Sequence, residues 1–331
     1  MSVDAKKTTK PNVAEFITTL PSDSPLLQTS FSGIATFMHT PFYKNFKDVD
    51  IALVGVPFDG GTTNRPGARL GPREIRNQST LMGFQNYQSK IIPYEKCRIG
   101  DIGDVPIAPI LNLETAMQEI ETFYHHLAKA NVIPITAGGD HSISYPILKA
   151  LGAQQPLGLI HIDSHCNTAP KLYGNKFQHG SPFYQAVQAG VLDPKRTIQI
   201  GIRGPHEYLW DFSYQSGMRV IHMDEFYDMG LKAVIAEARK VVGNAPTYIS
   251  FDVDGLDPAF APGTGTPEIG GLTSFEGQQL LRGLHGLNPI GGDVVEVSPP
   301  FDPSGCTALV GATLMFEILC LIADKFTTEK S

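Results

Sequence analysis

Aspartate and histidine recur in this chain at spacings that put several of them on one face. The run LGLI leads into His161-Ile162-Asp163-Ser164-His165, and YISF leads into Asp252-Val253-Asp254. In extended chain, residues i and i+2 point the same way, so Asp163 shares a face with His165 and Asp252 with Asp254. A third apolar run, VIPIT, ends at AGGDHS with Asp140 and His141, and a fourth, DVV, ends at Glu296. Carboxylates crowded at one rim repel unless a cation sits between them. A mixed His/Asp set suits manganese, nickel, iron or zinc better than calcium or magnesium, which prefer oxygen shells. Carboxylates able to bridge point to two ions. Each motif alone has a plainer reading. DxD serves as a turn device, GGDHS starts a helix with Asp140 or Ser142 as its cap, and His161 is a packed, hydrogen-bonded imidazole. Their joint occurrence at successive strand ends favours the metal, with His161 left in its packing role.

The elements that must position these groups follow one grammar. Short, β-branched runs end at polar or Gly-rich elbows: DIALVGV, NVIPIT, PLGLI, RTIQIGI, RVIH, PTYISF and IGGDVV. Between them lie segments with helical spacing, among them LNLETAMQEIETFYHHLAKA, LKAVIAEARKVVG and TSFEGQQLLRGLHGL. Strands alternating with helices predict βαβ units and a mostly parallel sheet covered on both faces, with ligands beyond the carboxyl ends of the strands. Residues 1–30 are polar and read as an extended arm, and 31–331 as a single domain with no linker. The final segment ALVGATLMFEILCLIADKF is apolar around much of its circumference and predicts a deeply packed helix or one partly in a subunit contact.

The whole chain narrows the function further. It has 331 residues, 42% hydrophobic, with 26 basic and 33 acidic side chains for a net charge of −7. That balance argues against nucleic acid or an anionic membrane as partner. There is no uncharged apolar run of about 18 residues, so no transmembrane helix is expected, and the N-terminus lacks the apolar core of a secretory signal. The four cysteines (Cys97, Cys166, Cys306, Cys320) form no CxxC pair, which favours a reducing, cytoplasmic compartment over a disulfide scaffold. The Gly-rich GGTTNRPGARLGPRE lacks the order of a phosphate-binding loop, and Arg65, Arg69 and Arg73 read as structural pairs or subunit contacts. Trp210 and Tyr145 read as packing residues.

The blocks GVPFDGGTTNRPGARLGPREIR (55–76), GGDHS (138–142), HIDSH (161–165), SFDVDGLDPAFAPGTGTPEIGGLT (250–273) and DVVEVSPPFD (293–302) resemble the ureohydrolases. That family comprises arginase, agmatinase, guanidinobutyrase and guanidinopropionase. The likeness is nearer to the guanidino-acid hydrolases and agmatinases, on the segments SGIATFM and FQHGSPF. It implies a three-layer α/β/α fold and hydrolysis of a guanidino compound (a guanidino acid, agmatine, or a substituted guanidine or biguanide) to urea and an amine. It implies two divalent ions, manganese first and nickel as the alternative, held by His141, Asp163, His165, Asp252 and Asp254. It assigns proton transfer to His179 and guanidinium contact to Glu296, and implies a homo-oligomer, a trimer or hexamer. The chain departs from the family's D-x-H-x-D pattern at one place, where Asn167 stands for the last carboxylate. An amide oxygen is a neutral, weaker donor. The departure leaves open a second reading, a non-catalytic subunit that supports an active paralogue in a hetero-oligomer. Selectivity for the substrate's tail is expected in 168–180 and near 36–45, with Lys171, Lys176 and Lys44, and His39 near them, as the cations for a carboxylate.

Overall fold

The protein is described here by a computed structural model covering residues 12–108, 111–204 and 207–326. Eight strands form one sheet: β1 (Ile51–Val56), β2 (Ile99–Asp104), β3 (Ile133–Gly138), β4 (Leu157–Ile162), β5 (Leu192–Ile202), β6 (Arg219–His222), β7 (Thr247–Asp252) and β8 (Pro289–Val295). Their order is β2-β1-β3-β8-β7-β4-β5-β6, and every pairing is parallel. Seven of the strands coincide with the apolar runs. The eighth, β2, has the sequence IGDIGD and sits at the sheet's edge, where half-polar chain is tolerated. Its Asp101 and Asp104 pair with Arg76 at 2.8 and 2.6 Å.

Helices cover both faces, giving three layers. On one side Leu113–Lys129, Ser144–Leu151 and Pro182–Gln188 enclose a core with Val54, Val56, Leu159 and Val295. On the other, Gly71–Ser79, Leu231–Val242, Ser274–Arg282 and Cys306–Ala323 enclose Leu53, Ile135, Ile160, Ile249 and Val294. Two of these helix starts carry the side-chain caps their sequences dictate. Asn112 accepts from Thr115 N–H at 3.1 Å, and Thr273 forms a reciprocal capping box with Glu276.

The helix Cys306–Ala323 is long and apolar enough, by composition alone, to cross a membrane. It is a core helix instead. Most of it is buried, and its Glu317 is paired with Arg282 at 2.5 Å and accepts from Asn86 at 2.7 Å. Part of the segment expected as an extended arm over 1–30 is helical. Val13–Thr19 is a helix capped by Asn12, because Phe16 has an apolar seat between Phe84 and Tyr94. Residues 1–11 lie outside the described residues.

Candidate metal centre and cavity

The four central strands β3, β8, β7 and β4 are neighbours in the sheet, and all the singled-out groups leave their carboxyl ends. The β3 end turns into a short 3-10 helix capped by Asp140, whose carboxylate accepts from Ser142 N–H at 2.9 Å. The capping reading of GGDHS and a functional His141 are therefore compatible. His141 donates its backbone N–H to Glu296 Oε1 at 2.9 Å, which ties the β3 end to the β8 end.

Two donor sets meet at Asp163. Its Oδ2 lies 3.1 Å from His141 Nδ1, which is 3.0 Å from Asp252 Oδ2. Asn167 joins this set, its amide nitrogen lying 2.7 Å from Asp163 Oδ2 and 3.0 Å from His141 Nδ1. The other oxygen, Oδ1, faces His165 Nδ1 at 3.5 Å, which is 3.2 Å from Asp254 Oδ2. Donor atoms about 2.1 Å from a common octahedral ion stand roughly 3 Å apart. The spacings therefore suit two ions sharing Asp163, and Asp163, His165 and Asp254 form one of the groups able to hold a metal. The electrostatics agree. Burial, and then the charges of Asp254 and Asp163, push Asp252 well above the usual carboxylate range. Asp163, although burial opposes its anion, is held well below that range by the imidazoles of His161, His141 and His165. This is a set of acids that calls for cations.

Asn167 has a backbone φ of 51°, in the left-handed region that asparagine tolerates better than most residues. Its NH2 group faces Asp163. Amide oxygen and nitrogen are nearly equal in shape, so turning the amide over brings Oδ1 to the same spot as a neutral donor.

Beneath these groups runs a row the sequence reading missed. Thr136, Asp293, Ser250, His161 and Gln199 stand abreast across five strands and are fully buried. Ser250 donates to Asp293 Oδ1 at 2.7 Å, so its Oγ is free to accept from His141 Nε2 at 2.8 Å. That holds a proton at Nε2 and leaves Nδ1, which faces Asp163 and Asp252, as the ring nitrogen that would bind a metal. Gln199 donates to the Cys166 carbonyl at 2.6 Å and to His161 Nδ1 at 3.1 Å, leaving His161 Nε2–H to donate to Asp163 Oδ2 at 2.8 Å. His161 is close enough to count among potential ligands, but this bonding keeps the packing role expected of it. Two signals were available: Ser250 continues the i, i+2 series of Asp252 and Asp254, and Asp293 is a lone carboxylate in an apolar strand.

His179 reaches the cluster from the loop after β4. Its Nδ1 lies 3.0 Å from Glu296 Oε1, and its Nε2 lies 2.6 Å from Thr63 Oγ1. Burial opposes the imidazolium, but Glu296 outweighs it and raises the His179 pKa. Glu296 has φ 65°, a strained conformation for a non-glycine residue, and its Oε2 is buried without a hydrogen-bond partner. A buried carboxylate oxygen in that state fits a cationic ligand.

Three polar or titratable groups nearby serve other ends. Asp257 accepts from Ala259, Gly270 and Gly271 N–H groups and clamps its own loop. Burial pushes the Cys166 thiol up to about 12, so it is protonated at neutral pH. Arg69 pairs with Asp59.

A cavity of about 440 Å³ opens over the cluster, lined by His165, Asn167, His179 and Asp252 below and by Leu172, Tyr173 and Trp210 at the sides. Trp210 is thus cavity wall as well as packing. The loop 168–180 contributes as expected, but Lys171, Lys176 and Lys44 do not line the cavity. Lys176 lies over the Phe177 ring. Segment 36–45 is not at the cavity either. It packs on the edge of the sheet, with Phe37 N–H donating to Asp101 and Met38 N–H to Ser79, and His39 is buried there.

A model of the arginase family matches residues 49–321. The chain is 55% identical to the guanidinopropionase of Pseudomonas aeruginosa over 298 residues, 89% of this chain and 93% of that protein. It is 45% identical to the human mitochondrial guanidino acid hydrolase, over 89% of this chain and 84% of the relative. Among solved structures it resembles the proclavaminate amidinohydrolase of Streptomyces clavuligerus, with TM-score 0.86 and 37% identity over 89% of this chain and 99% of that one. The reading as a non-catalytic partner subunit finds no support in these likenesses, and the departure it rested on, Asn167, sits inside the converged cluster.

Proposed function

The chain belongs to the arginase family, and from that footing we propose that it is a metal-dependent amidinohydrolase that splits a guanidino C–N bond to give urea and an amine, with a guanidino acid as preferred substrate. The observation that carries the reading is the convergence of His141 and Asn167 on one oxygen of Asp163, with Asp252 on the same His141 nitrogen, and of His165 on the other oxygen. In it His141, Asp163, Asp252 and Asn167 hold one divalent ion, and Asp163, His165 and Asp254 the second. Manganese is the metal proposed, with nickel as the alternative that a neutral Asn167 donor leaves open. When bound, such a pair supplies a water acidified far enough to act as nucleophile at neutral pH.

The protein's own groups do the rest. Glu296 Oε2 pairs with the substrate's guanidinium and holds its planar carbon over the cluster. Glu296 Oε1 stays bonded to His141 N–H and faces His179, so substrate and acid share one fixed carboxylate. His179 delivers the proton that the leaving amine needs. A general acid works protonated, and its raised pKa keeps His179 charged to higher pH than an ordinary imidazole. Activity is therefore present below that pKa and falls as pH rises through it. His179→Asn is expected to lower kcat by about a hundredfold and to remove the alkaline limb of the pH profile.

Asn167→Asp adds a charge to one donor set. We expect roughly tenfold tighter binding of one ion, measured by chelator competition, with the other little changed. Equal tightening of both would contradict the assignment. The basic experiment is to purify the chain alone, count metals per subunit and assay urea release from a panel of guanidines. A homo-oligomer, trimer or hexamer, belongs to the same proposal and is tested by sedimentation. Exposed Phe31, Ile34 and Leu111 are surface that a neighbouring copy could cover.

A further inference from the structure

We propose that Arg65 is the receptor for the carboxylate of a guanidino acid whose guanidinium is held by Glu296. This deepens the amidinohydrolase reading and rests on it. Among the described residues lining the cavity, Arg65 is the one permanently cationic side chain. The acids of its own loop and strand neighbours are taken by others: Asp59 by Arg69, and Asp101 and Asp104 by Arg76. The Arg65 guanidinium instead rests 5.3 Å from the centre of the Phe301 ring. A cation–π contact of this kind steadies the group and consumes none of its N–H donors, which stay available for a carboxylate.

Arg65 lines the cavity, and its backbone and Glu296 both border Gly265. A Cβ built on Gly265 would lie 3.5 Å from Glu296 Oε2 and 3.6 Å from the Arg65 carbonyl oxygen. Gly265 thus sets the backbone of the Asn64–Arg65 segment beside the unpaired Glu296 oxygen. The segment is held firmly. Asn64 donates to the Gly265 carbonyl at 2.9 Å, and Gly67 N–H donates to Asp59 at 2.8 Å. Gly67 has φ 149°, and a Cβ there would come 2.5 Å from Ser298 Oγ, so the turn after Arg65 demands glycine. Arg65 itself is held at φ 39°, a strained conformation for an arginine. Leu172 and Trp210 in the wall suit a short aliphatic spacer. The acidic wall residue Glu268 faces His165 Nε2 at 3.6 Å, which leaves it poorly placed to receive a cationic tail.

The test uses the full chain loaded with manganese or nickel. Urea release is measured from 3-guanidinopropionate and 4-guanidinobutyrate (anionic tails), propylguanidine (no charge) and agmatine (cationic tail). Arg65→Ala should raise KM for the two acids by roughly tenfold to a hundredfold, with kcat little changed and no effect on propylguanidine. Arg65→Lys should restore part of the loss, since it keeps the charge but not the planar fork. Equal losses on all substrates, or none on the acids, would overturn the assignment. Circular dichroism and sedimentation identify a misfolded variant, in which case Arg65→Gln is read instead. If the loaded wild type releases urea from none of the compounds, the hydrolase reading fails. Arg65 is then judged by calorimetric binding of 3-guanidinopropionate against propylguanidine, where equal binding refutes it.

Discussion

Asp163→Asn is expected to lower kcat/KM for urea release by at least about four orders of magnitude and to reduce bound metal from two ions per subunit to one or none. The two oxygens of Asp163 face different donor sets, His141 on one side and His165 on the other. An asparagine keeps the shape and one acceptor oxygen, which can retain the 2.6 Å bond from His165 N–H. The fold should therefore survive, and circular dichroism should not change. What is lost is the charge between two cations and the second anionic donor. Two ions retained in the variant, with near-normal turnover, would show that Asp163 is not shared.

Glu296→Gln is expected to lower kcat/KM by roughly two hundredfold to several thousandfold, because removing one partner of a buried charge pair costs about 3–5 kcal/mol. The amide oxygen of the variant can still accept from His141 N–H, so the β3 and β8 ends should stay joined and metal content should stay at two ions. Loss of activity without loss of metal separates Glu296 from the ligands. If the guanidinium is bound equally in ground and transition states, KM rises alone. If Glu296 also orients His179, kcat falls with it and the pH profile shifts, since the raised pKa of His179 depends on that carboxylate.

Much of this was legible in the sequence, for a physical reason. A strand buried on both faces must be apolar and must stop where polarity begins, so Asp163, His165, Asp252, Asp254 and Glu296 announced the strand ends on which they sit. The i, i+2 rule for extended chain did not carry over to the turns: Asp252 caps a 3-10 turn, Val253–Gly255, so Asp252 faces His141 while Asp254 faces His165. The edge strand β2 carries no such signal, because an edge needs only half its residues buried. The helix at Val13–Thr19 depends on a distant seat for Phe16, which local composition does not encode. The polar row through Asp293 and Ser250 depends on register between strands far apart in sequence. The cations expected at the cavity are not among its lining residues, for a similar reason. Lys44, Lys171 and Lys176 were near the motifs in the chain, whereas Arg65 is brought to the cavity by the loop that Asp59, Gly67 and Gly265 hold in place.

Protein reconstituted with manganese and examined by electron paramagnetic resonance and anomalous diffraction gives the most direct reading of the centre. The expected result is a coupled pair of ions about 3.5–4 Å apart, with one Asp163 oxygen on each and Asn167 turned so that its oxygen faces the ion held with His141. A single ion, or two uncoupled ions bound away from His141, Asp163 and His165, would contradict the assignment of these residues.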